Sequence, residues 1–144
     1  MISVDTNILL RAVLEDDLSQ SQIARVFLEE ACRENKLFIS SFAILEMVWI
    51  LKMKKRSREQ ICESILDLVD SPGIVIGNRE IVIRAVEKYS HGKADFGDYM
   101  ILSEGECFGS KQMVSFDQTL SSEIKSVHHP KDIQFWIYKT KQTP

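Results

Sequence analysis

The sequence is short of proline and glycine and has no long apolar run. Its 144 residues include 3 prolines and 6 glycines, too few for a flexible linker, so we expect one domain over residues 1–144. No apolar run approaches the ~20 residues that a transmembrane helix needs. The N-terminus also lacks the basic stretch and apolar run of a secretory signal. These absences predict a cytoplasmic protein with no membrane association.

Cysteine is scarce, and positive charge is not in excess. Cys32, Cys62 and Cys107 are odd in number and widely spaced within apolar helical patterns. We interpret them as reduced core residues rather than disulfide partners or zinc ligands. The 18 Lys and Arg residues against 21 Asp and Glu residues give a net charge of −3, which excludes a generally basic nucleic-acid coat. The densest basic run, over residues 52–58, is either a solvated turn or a local phosphate-attracting patch.

Short apolar strands alternate with helices along the chain. Strands are expected over 2–4, 36–40, 74–76 and 112–115, with a candidate fifth over 125–127. Helices are expected over 7–15, 19–33, 41–53, from 57 to the Pro72-Gly73 pair, over 79–89 and from about 94 to 108. This alternation predicts an α/β fold, a parallel sheet with helices on both faces. Ligands of such sheets bind beyond the carboxyl ends of the strands.

Acidic residues fall at that edge of the predicted sheet. Asp5 directly follows the first strand, Asp117 follows the fourth, and Asp98 lies in the first turn of a helix. Each has an ordinary structural explanation, because Asp caps helix N-termini and complements the helix dipole. Taken singly, these residues therefore do not distinguish a helix cap from a functional site.

Glu46 is less easily explained. It is the only polar residue between residues 42 and 51, and its helical neighbours Phe42, Trp49 and Ile50 are all apolar. This pattern predicts a buried carboxylate, which is costly unless it is paired. Since no Lys or Arg lies within one turn on that helix, the partner must be an arginine from another helix or a cation shared with other carboxylates.

Four carboxylates at one sheet edge would repel one another and hold protons more tightly unless a cation compensated them. Oxygen ligands without His or Cys suit Mg²⁺ or Mn²⁺. Such an ion activates a water molecule and neutralises charge on a reacting phosphate. The residues by themselves therefore predict metal-dependent phosphodiester hydrolysis.

Four segments, taken in order, resemble the PIN-domain nucleases, and most closely the VapC-type toxins of bacterial toxin–antitoxin pairs. They are Val4-Asp5-Thr6-Asn7, the segment from Ser40 to Glu46, the segment from Ala94 to Ile101, and Val114-Ser115-Phe116-Asp117. The resemblance covers nearly the whole chain. It implies a single PIN domain, a three-layer α/β/α sandwich with a short, mostly parallel central sheet of four to five strands.

The resemblance also implies which residues act. Asp5, Glu46 and Asp98 match the three core carboxylates of the family, and Asp117 matches a more variable fourth. The resemblance implies an auxiliary set as well. It contains one additional acid and small polar residues that orient the acids or their metal waters: Asp95, Thr6, Asn7 and Ser115.

The implied activity is endoribonuclease cleavage with Mg²⁺ or Mn²⁺. Asp5, Asp98 and Asp117 would bind the ion, with Glu46 as a ligand or water-orienting base, leaving a 5′-phosphate and a 3′-hydroxyl on the RNA. The implied partners are the RNA substrate, a cognate antitoxin protein and a second copy of the chain in a homodimer. Trp49, Ile50 and Met53 would line a groove for an antitoxin peptide, or simply pack in the core.

Three alternatives stay open. A haloacid-dehalogenase-like phosphatase also begins with an Asp after its first strand, but it needs a second Asp two residues later, where this chain has Asn7. A PIN fold acting only as a scaffold or binding protein would not need the intact set of acids. A PIN nuclease that works outside a toxin–antitoxin pair would need all of them.

Overall fold

The computed structural model describes residues 1–34 and 36–132. In this part of the chain, seven helices alternate with five short strands. The strands are β1 (Ile2–Ser3), β2 (Leu37–Ile39), β3 (Ile74–Ile76), β4 (Met113–Val114) and β5 (Val127–His128). The helices are α1 (Thr6–Leu14), α2 (Leu18–Glu34), α3 (Ser41–Met53), α4 (Arg58–Asp70), α5 (Arg79–His91), α6 (Phe96–Cys107) and α7 (Gln118–Glu123).

All strand pairings are parallel, which confirms the α/β class. β1, β2 and β3 form one sheet in that order, with Ile2 opposite Leu37 and Leu37 opposite Ile74. β4 and β5 form a second sheet. The five strands thus pair as three plus two rather than as one central sheet. With only two residues each in β1, β4 and β5, little backbone is available for a continuous ladder.

Strand β2 and helix α3 form the centre of the hydrophobic core. Leu37 and Ile39 of β2 and Ile44 and Met47 of α3 are completely buried. Their burial fixes α3 against the sheet, because an apolar side chain of this size contributes roughly 1.5–3 kcal/mol when it is removed from water. α3 therefore starts at a defined position, directly after the carboxyl end of β2.

Helices also follow the carboxyl ends of β1 and β4, and each begins at a polar cap. The Asp5 side chain accepts a hydrogen bond from the Ile8 backbone N–H (3.2 Å), and the Asp117 side chain accepts one from Leu120 (3.0 Å). Ser40 caps α3 in the same way (3.1 Å to the Phe42 nitrogen). These caps satisfy orphan backbone donors and set the direction in which each chain leaves its strand.

Two helices differ from what their sequences indicate. The spacing of the apolar residues Ile23, Val26, Phe27 and Ala31 correctly predicts that α2 is a helix. Ala31 is buried together with Ala24, whereas the three larger residues are exposed. Small residues let α2 lie close to its neighbours, so the large ones remain outside. The α7 helix is not predicted, because six residues are too few to show a helical period.

The cysteines only partly match the expected core positions. All three are free; Cys62 is buried, Cys32 is half-buried and Cys107 is exposed. Cys107 ends α6, where the helix no longer faces the core. The aromatic cluster from Phe135 to Tyr138, expected to pack onto the domain, lies outside the described residues. Within the described ranges, no helix combines the length and apolar character needed to cross a membrane.

Arg58 connects α4 to the loop that precedes α6. Its guanidinium donates two hydrogen bonds to the Tyr89 carbonyl (3.0 and 3.1 Å) and one to the Ala94 carbonyl (2.8 Å). It also lies 3.8 Å from the centroid of the Tyr89 ring, a cation–π contact. Arg58 is therefore a structural residue and not part of a free basic patch.

We predict that Arg58→Ala lowers the free energy of unfolding by about 2–4 kcal/mol, since it leaves two carbonyls unpaired and removes the cation–π contact. Arg56→Ala, which removes an exposed arginine two residues away, is the matched control and should change stability by less than about 0.5 kcal/mol. Urea unfolding followed by circular dichroism measures both. Equal stability of the two variants would contradict this role of Arg58.

Candidate active site

Three carboxylates are electrostatically coupled at the N-terminal end of α6. Asp98 is half-buried in the first turn of this helix, and Asp95 is the residue that precedes it at the cap position. Burial raises the pKa of Asp98, and the negative charges of Asp117 and Asp95 raise it further. A hydrogen bond from the backbone and the charge of Lys52 act in the opposite direction. The site is thus one where negative charges repel and a cation would be stabilised.

Asp117 reaches this cluster from the loop after β4. Its carboxylate caps α7, while its own backbone N–H donates to the Ser115 hydroxyl at 3.0 Å. Ser115 therefore fixes the loop that presents Asp117. The position is half-buried, as is that of Asp98.

Glu46 is not buried, so the prediction from its apolar neighbours is wrong. Glu46 is exposed, and Phe42 and Trp49 are 75% and 68% exposed. Helix α3 is apolar on nearly all sides, but only one side packs against the core, and Glu46 lies on the other. Composition alone does not reveal which side of such a helix is covered.

Glu46 nevertheless has a specific partner. The hydroxyl of Thr6, a buried residue, donates to Glu46 Oε2 at 2.7 Å. Because Thr6 directly follows Asp5, this hydrogen bond links the α3 carboxylate to the first acidic segment. Neither of the two partners considered from the sequence, an arginine or a shared cation, is needed to explain the position of this side chain.

Lys52 connects α3 to the acids of α6. Its ammonium group pairs with the Asp95 carboxylate, so this lysine of the basic run is engaged within the site. With Lys52 and Arg58 engaged, the other cations of the run are Lys54, Lys55 and Arg56, and all three are exposed. The Lys52–Asp95 contact spans 43 residues, and no local pattern in the sequence indicates it.

A groove of about 570 Å³ adjoins the acids between α3 and α6. Its lining includes Glu46 and Asp95 together with the apolar side chains of Trp49 and Met53. The expected lining by Trp49 and Met53 is therefore present, whereas Ile50 does not contribute. The groove is open to solvent and mostly apolar, and its charged lining residues are Glu46, Lys52 and Asp95.

Asn7 lies apart from this arrangement. It is exposed and lines a different groove, between α1 and α2, with Arg11 and Ile23. In the described residues, its side chain has no hydrogen bond to any of the acids. Its expected role in orienting them remains a prediction.

A hydrogen-bonded group that was not predicted from the sequence lies next to Asp98, in the interior of the fold. Tyr99, completely buried beside Asp98, donates its hydroxyl proton to Glu123 Oε2 at 2.5 Å and accepts from the Ala94 backbone N–H at 3.1 Å. Burial raises the pKa of Tyr99, and the hydrogen bond to Glu123 raises it further. A tyrosine at a helical core position gives no sequence signal for such a contact.

The acids suit a hard divalent cation by their chemistry, since they offer carboxylate oxygens and mutual repulsion that a cation would relieve. Their spacing is looser than a closed coordination shell. Among residues 1–34 and 36–132, no three Asp, Glu, His or Cys side chains converge closely enough to hold one metal ion. Asp98, Asp117 and Asp95 are the acids whose mutual repulsion is evident, because the charges of the last two raise the pKa of Asp98 beyond the effect of burial.

Comparison with known families identifies the family of the chain. The family model described as the PIN domain matches residues 2–122. The chain therefore belongs to the PIN domain family, whose members are generally metal-dependent nucleases. No curated protein matches the chain.

The raised pKa of Asp98 gives a pH-dependent prediction. The folded state holds the Asp98 proton more tightly than the unfolded chain, whose value is 3.8. The protonated Asp98 carboxyl therefore makes its full contribution to the free energy of unfolding below pH 3.8. This contribution is lost as the pH rises through the pKa that Asp98 has in the folded state. Asp98→Asn does not have this loss, so the variant should become progressively more stable than wild type between that pH and neutrality.

Thermal unfolding in EDTA across this pH range measures the difference. The matched control is Asp67→Asn, which changes an exposed acid on α4. A wild type that is as stable as Asp98→Asn at neutral pH would contradict the electrostatic coupling of the three acids.

Proposed function

We propose that this protein is an endoribonuclease that uses Mg²⁺ or Mn²⁺ to hydrolyse phosphodiester bonds in RNA. The observation that carries the proposal is the grouping of three carboxylates, those of Asp98, Asp117 and Asp95, at the N-terminal end of α6. This end of α6 adjoins the groove between α3 and α6. Membership of the PIN domain family supports the same reaction class. The donor chemistry supports a hard cation over zinc, because the proposed ligands are carboxylates.

Asp5, Asp98, Asp117 and Glu46 would hold the ion. A bound divalent cation supplies Lewis acidity, lowering the pKa of a water molecule and offsetting charge on the phosphate. Glu46 keeps one carboxylate oxygen free of the Thr6 hydrogen bond, and that oxygen is suited to orient the attacking water or accept its proton.

The groove between α3 and α6 supports single-stranded RNA as the substrate. Its apolar wall, with Trp49 and Met53, suits unpaired bases, and the carboxylates of its lining would lie near the scissile phosphate once a cation is bound. Lys54, Lys55 and Arg56, exposed in the turn after α3, supply positive charge for the backbone despite the net negative charge of the chain.

We further propose that the protein is the toxin of a toxin–antitoxin pair, that it acts in the cytoplasm and that a cognate antitoxin binds it. These points rest on the VapC-type resemblance of the four sequence segments. We also propose a homodimer. The support for it is a pair of exposed apolar side chains that do not line the groove, Phe42 of α3 and Ile101 of α6, which are 75% and 62% exposed.

The cleavage assay uses the full-length protein and a mixed pool of single-stranded and structured RNA. We expect cleavage with Mg²⁺ or Mn²⁺, 5′-phosphate products, and no cleavage in excess EDTA. Asp98→Asn and Glu46→Gln should remain folded and reduce the rate at least ~100-fold, because each removes a charge that acts on the metal or water. Asp67→Asn, an exposed acid on α4, should cut at the wild-type rate.

Three results would contradict the proposal. They are cleavage that persists in EDTA, wild-type rates for Asp98→Asn, and the absence of both cleavage and Asp98-dependent growth arrest on expression. The last result would favour a PIN-fold scaffold. Unfolding of Glu46→Gln would instead assign Glu46 a structural role through Thr6.

The homodimer is tested by light scattering after gel filtration. We expect wild type at twice the mass of one chain and Phe42→Glu at the mass of one chain, because the charge would be buried in the interface. Leu18→Glu, at an 80% exposed leucine of α2, should remain dimeric. A monomeric wild type would contradict the dimer without affecting the nuclease proposal.

A further inference from the structure

The helix that carries Asp117 at its start has a second polar attachment at its end. α7 contains only six residues, so Glu123 lies about 9 Å along the helix from Asp117. Leu120, completely buried, fixes the middle of the helix to the core. Ile124, the residue that follows the helix, also packs against the core, and the Glu123 side chain adds a polar attachment at this end of α7.

The Glu123 carboxylate contacts two groups next to the N-terminal end of α6. Its Oε2 accepts the hydrogen bond of the Tyr99 hydroxyl, and its Oε1 accepts one from the Lys93 backbone N–H. The Tyr99 hydroxyl in turn accepts from Ala94. Hence a single carboxylate joins α7 to both the loop before α6 and the first turns of α6 itself.

Gly92 makes this close approach possible. A Cβ at this position would overlap the Tyr99 hydroxyl and lie 2.6 Å from Glu123 Oε2. The backbone of Gly92 is extended (φ −104°), so the requirement for glycine here is one of space and not of conformation. The spacing of α6 and α7 thus depends on the absence of one methyl group.

The hydrogen bond between Tyr99 and Glu123 opposes the electrostatic repulsion between Asp98 and Asp117, which lie on the same two helices. Asp98 directly precedes Tyr99, and Asp117 is the cap of α7, so the hydrogen bonds and the like charges act on the same pair of helices. Repulsion between Asp98 and Asp117 favours separation of the helix ends. The Tyr99–Glu123 hydrogen bond resists it from within the fold.

We propose that Tyr99, Glu123 and Gly92 form a positioning clamp, which sets the distance between Asp98 and Asp117 and thereby the affinity of the site for a divalent cation. The clamp residues do not touch the ion or the RNA. The inference rests on the proposed function, since it assigns to these residues the geometry of the proposed metal site.

The test is calorimetric titration of Mn²⁺ into the full-length protein, with no RNA present. Tyr99→Phe keeps the buried ring and removes only the hydroxyl, and it should weaken Mn²⁺ binding about tenfold, the usual effect of losing an outer partner of a metal site. Gly92→Ala should act in the same direction by displacing the hydroxyl and the carboxylate. Glu123→Gln keeps the shape and one acceptor oxygen, so its loss should be smaller.

Two matched controls separate the clamp from general effects of substitution. Tyr89→Phe makes the same chemical change in a neighbouring buried tyrosine, whose hydroxyl has no hydrogen bond among the described residues. Gly105→Ala adds a methyl group where the nearest atom is Ser110 Cβ at 3.5 Å, an ordinary contact. Both should bind Mn²⁺ as tightly as wild type. Asp98→Asn should abolish binding.

The outcomes distinguish the two proposals. If Asp98→Asn loses Mn²⁺ but folded Tyr99→Phe and Gly92→Ala bind like wild type, the clamp is wrong and the metal site stands. Lower melting temperatures with unchanged Mn²⁺ affinity would likewise contradict the clamp, since a purely structural contact changes only stability. If wild type binds no Mn²⁺, both proposals fail. Should Tyr99→Phe not fold, Gly92→Ala and Glu123→Gln carry the test.

Discussion

The repulsion between carboxylates gathered at one end of the molecule is the constraint on which the arrangement of this protein depends. Burial raises the pKa of Asp98, and the nearby charges of Asp117 and Asp95 raise it further. A fold that holds like charges together must compensate for the cost elsewhere. The helix cap at Asp117 and the ion pair of Lys52 with Asp95 are two such compensations.

The loop between α5 and α6, which precedes Asp98, is held by two further charged side chains. Arg58 of α4 holds its two ends by hydrogen bonds to the Tyr89 and Ala94 carbonyls. Glu123 of α7 holds it from the other side through the Lys93 backbone N–H. Both contacts use a charged group to satisfy backbone atoms, and such bonds are stronger than neutral ones. The position of α6 follows from them.

Helix α3 has two different relations to its surroundings. One side, with Ile44 and Met47, lies in the core, and the other presents Phe42 and Trp49 to solvent beside Glu46. An apolar surface therefore lies next to a charged site. It also explains why Glu46 can be surrounded by apolar neighbours along the helix without losing contact with water.

Local features of the sequence were sufficient to predict the order of strands and helices, the parallel pairing and the identity of the candidate acids. These features are the apolar runs, the caps such as Asp5 and Ser40, and the Pro72-Gly73 stop. The family likeness of four short segments added the fold, because their order and spacing are properties of the chain. The short α7 helix was missed because its pattern is too brief.

The packing of the folded chain was needed to establish which side of a helix is covered and which distant residues meet. The apolar α3 gave no indication that Glu46 is exposed. The spacing of apolar residues in α2 likewise gave no indication that Ile23 is exposed while Ala24 packs. The contacts of Thr6 with Glu46, of Lys52 with Asp95 and of Tyr99 with Glu123 join residues 24 to 43 positions apart. Such contacts depend on how helices pack around the shared core, and no local period or cap encodes that packing.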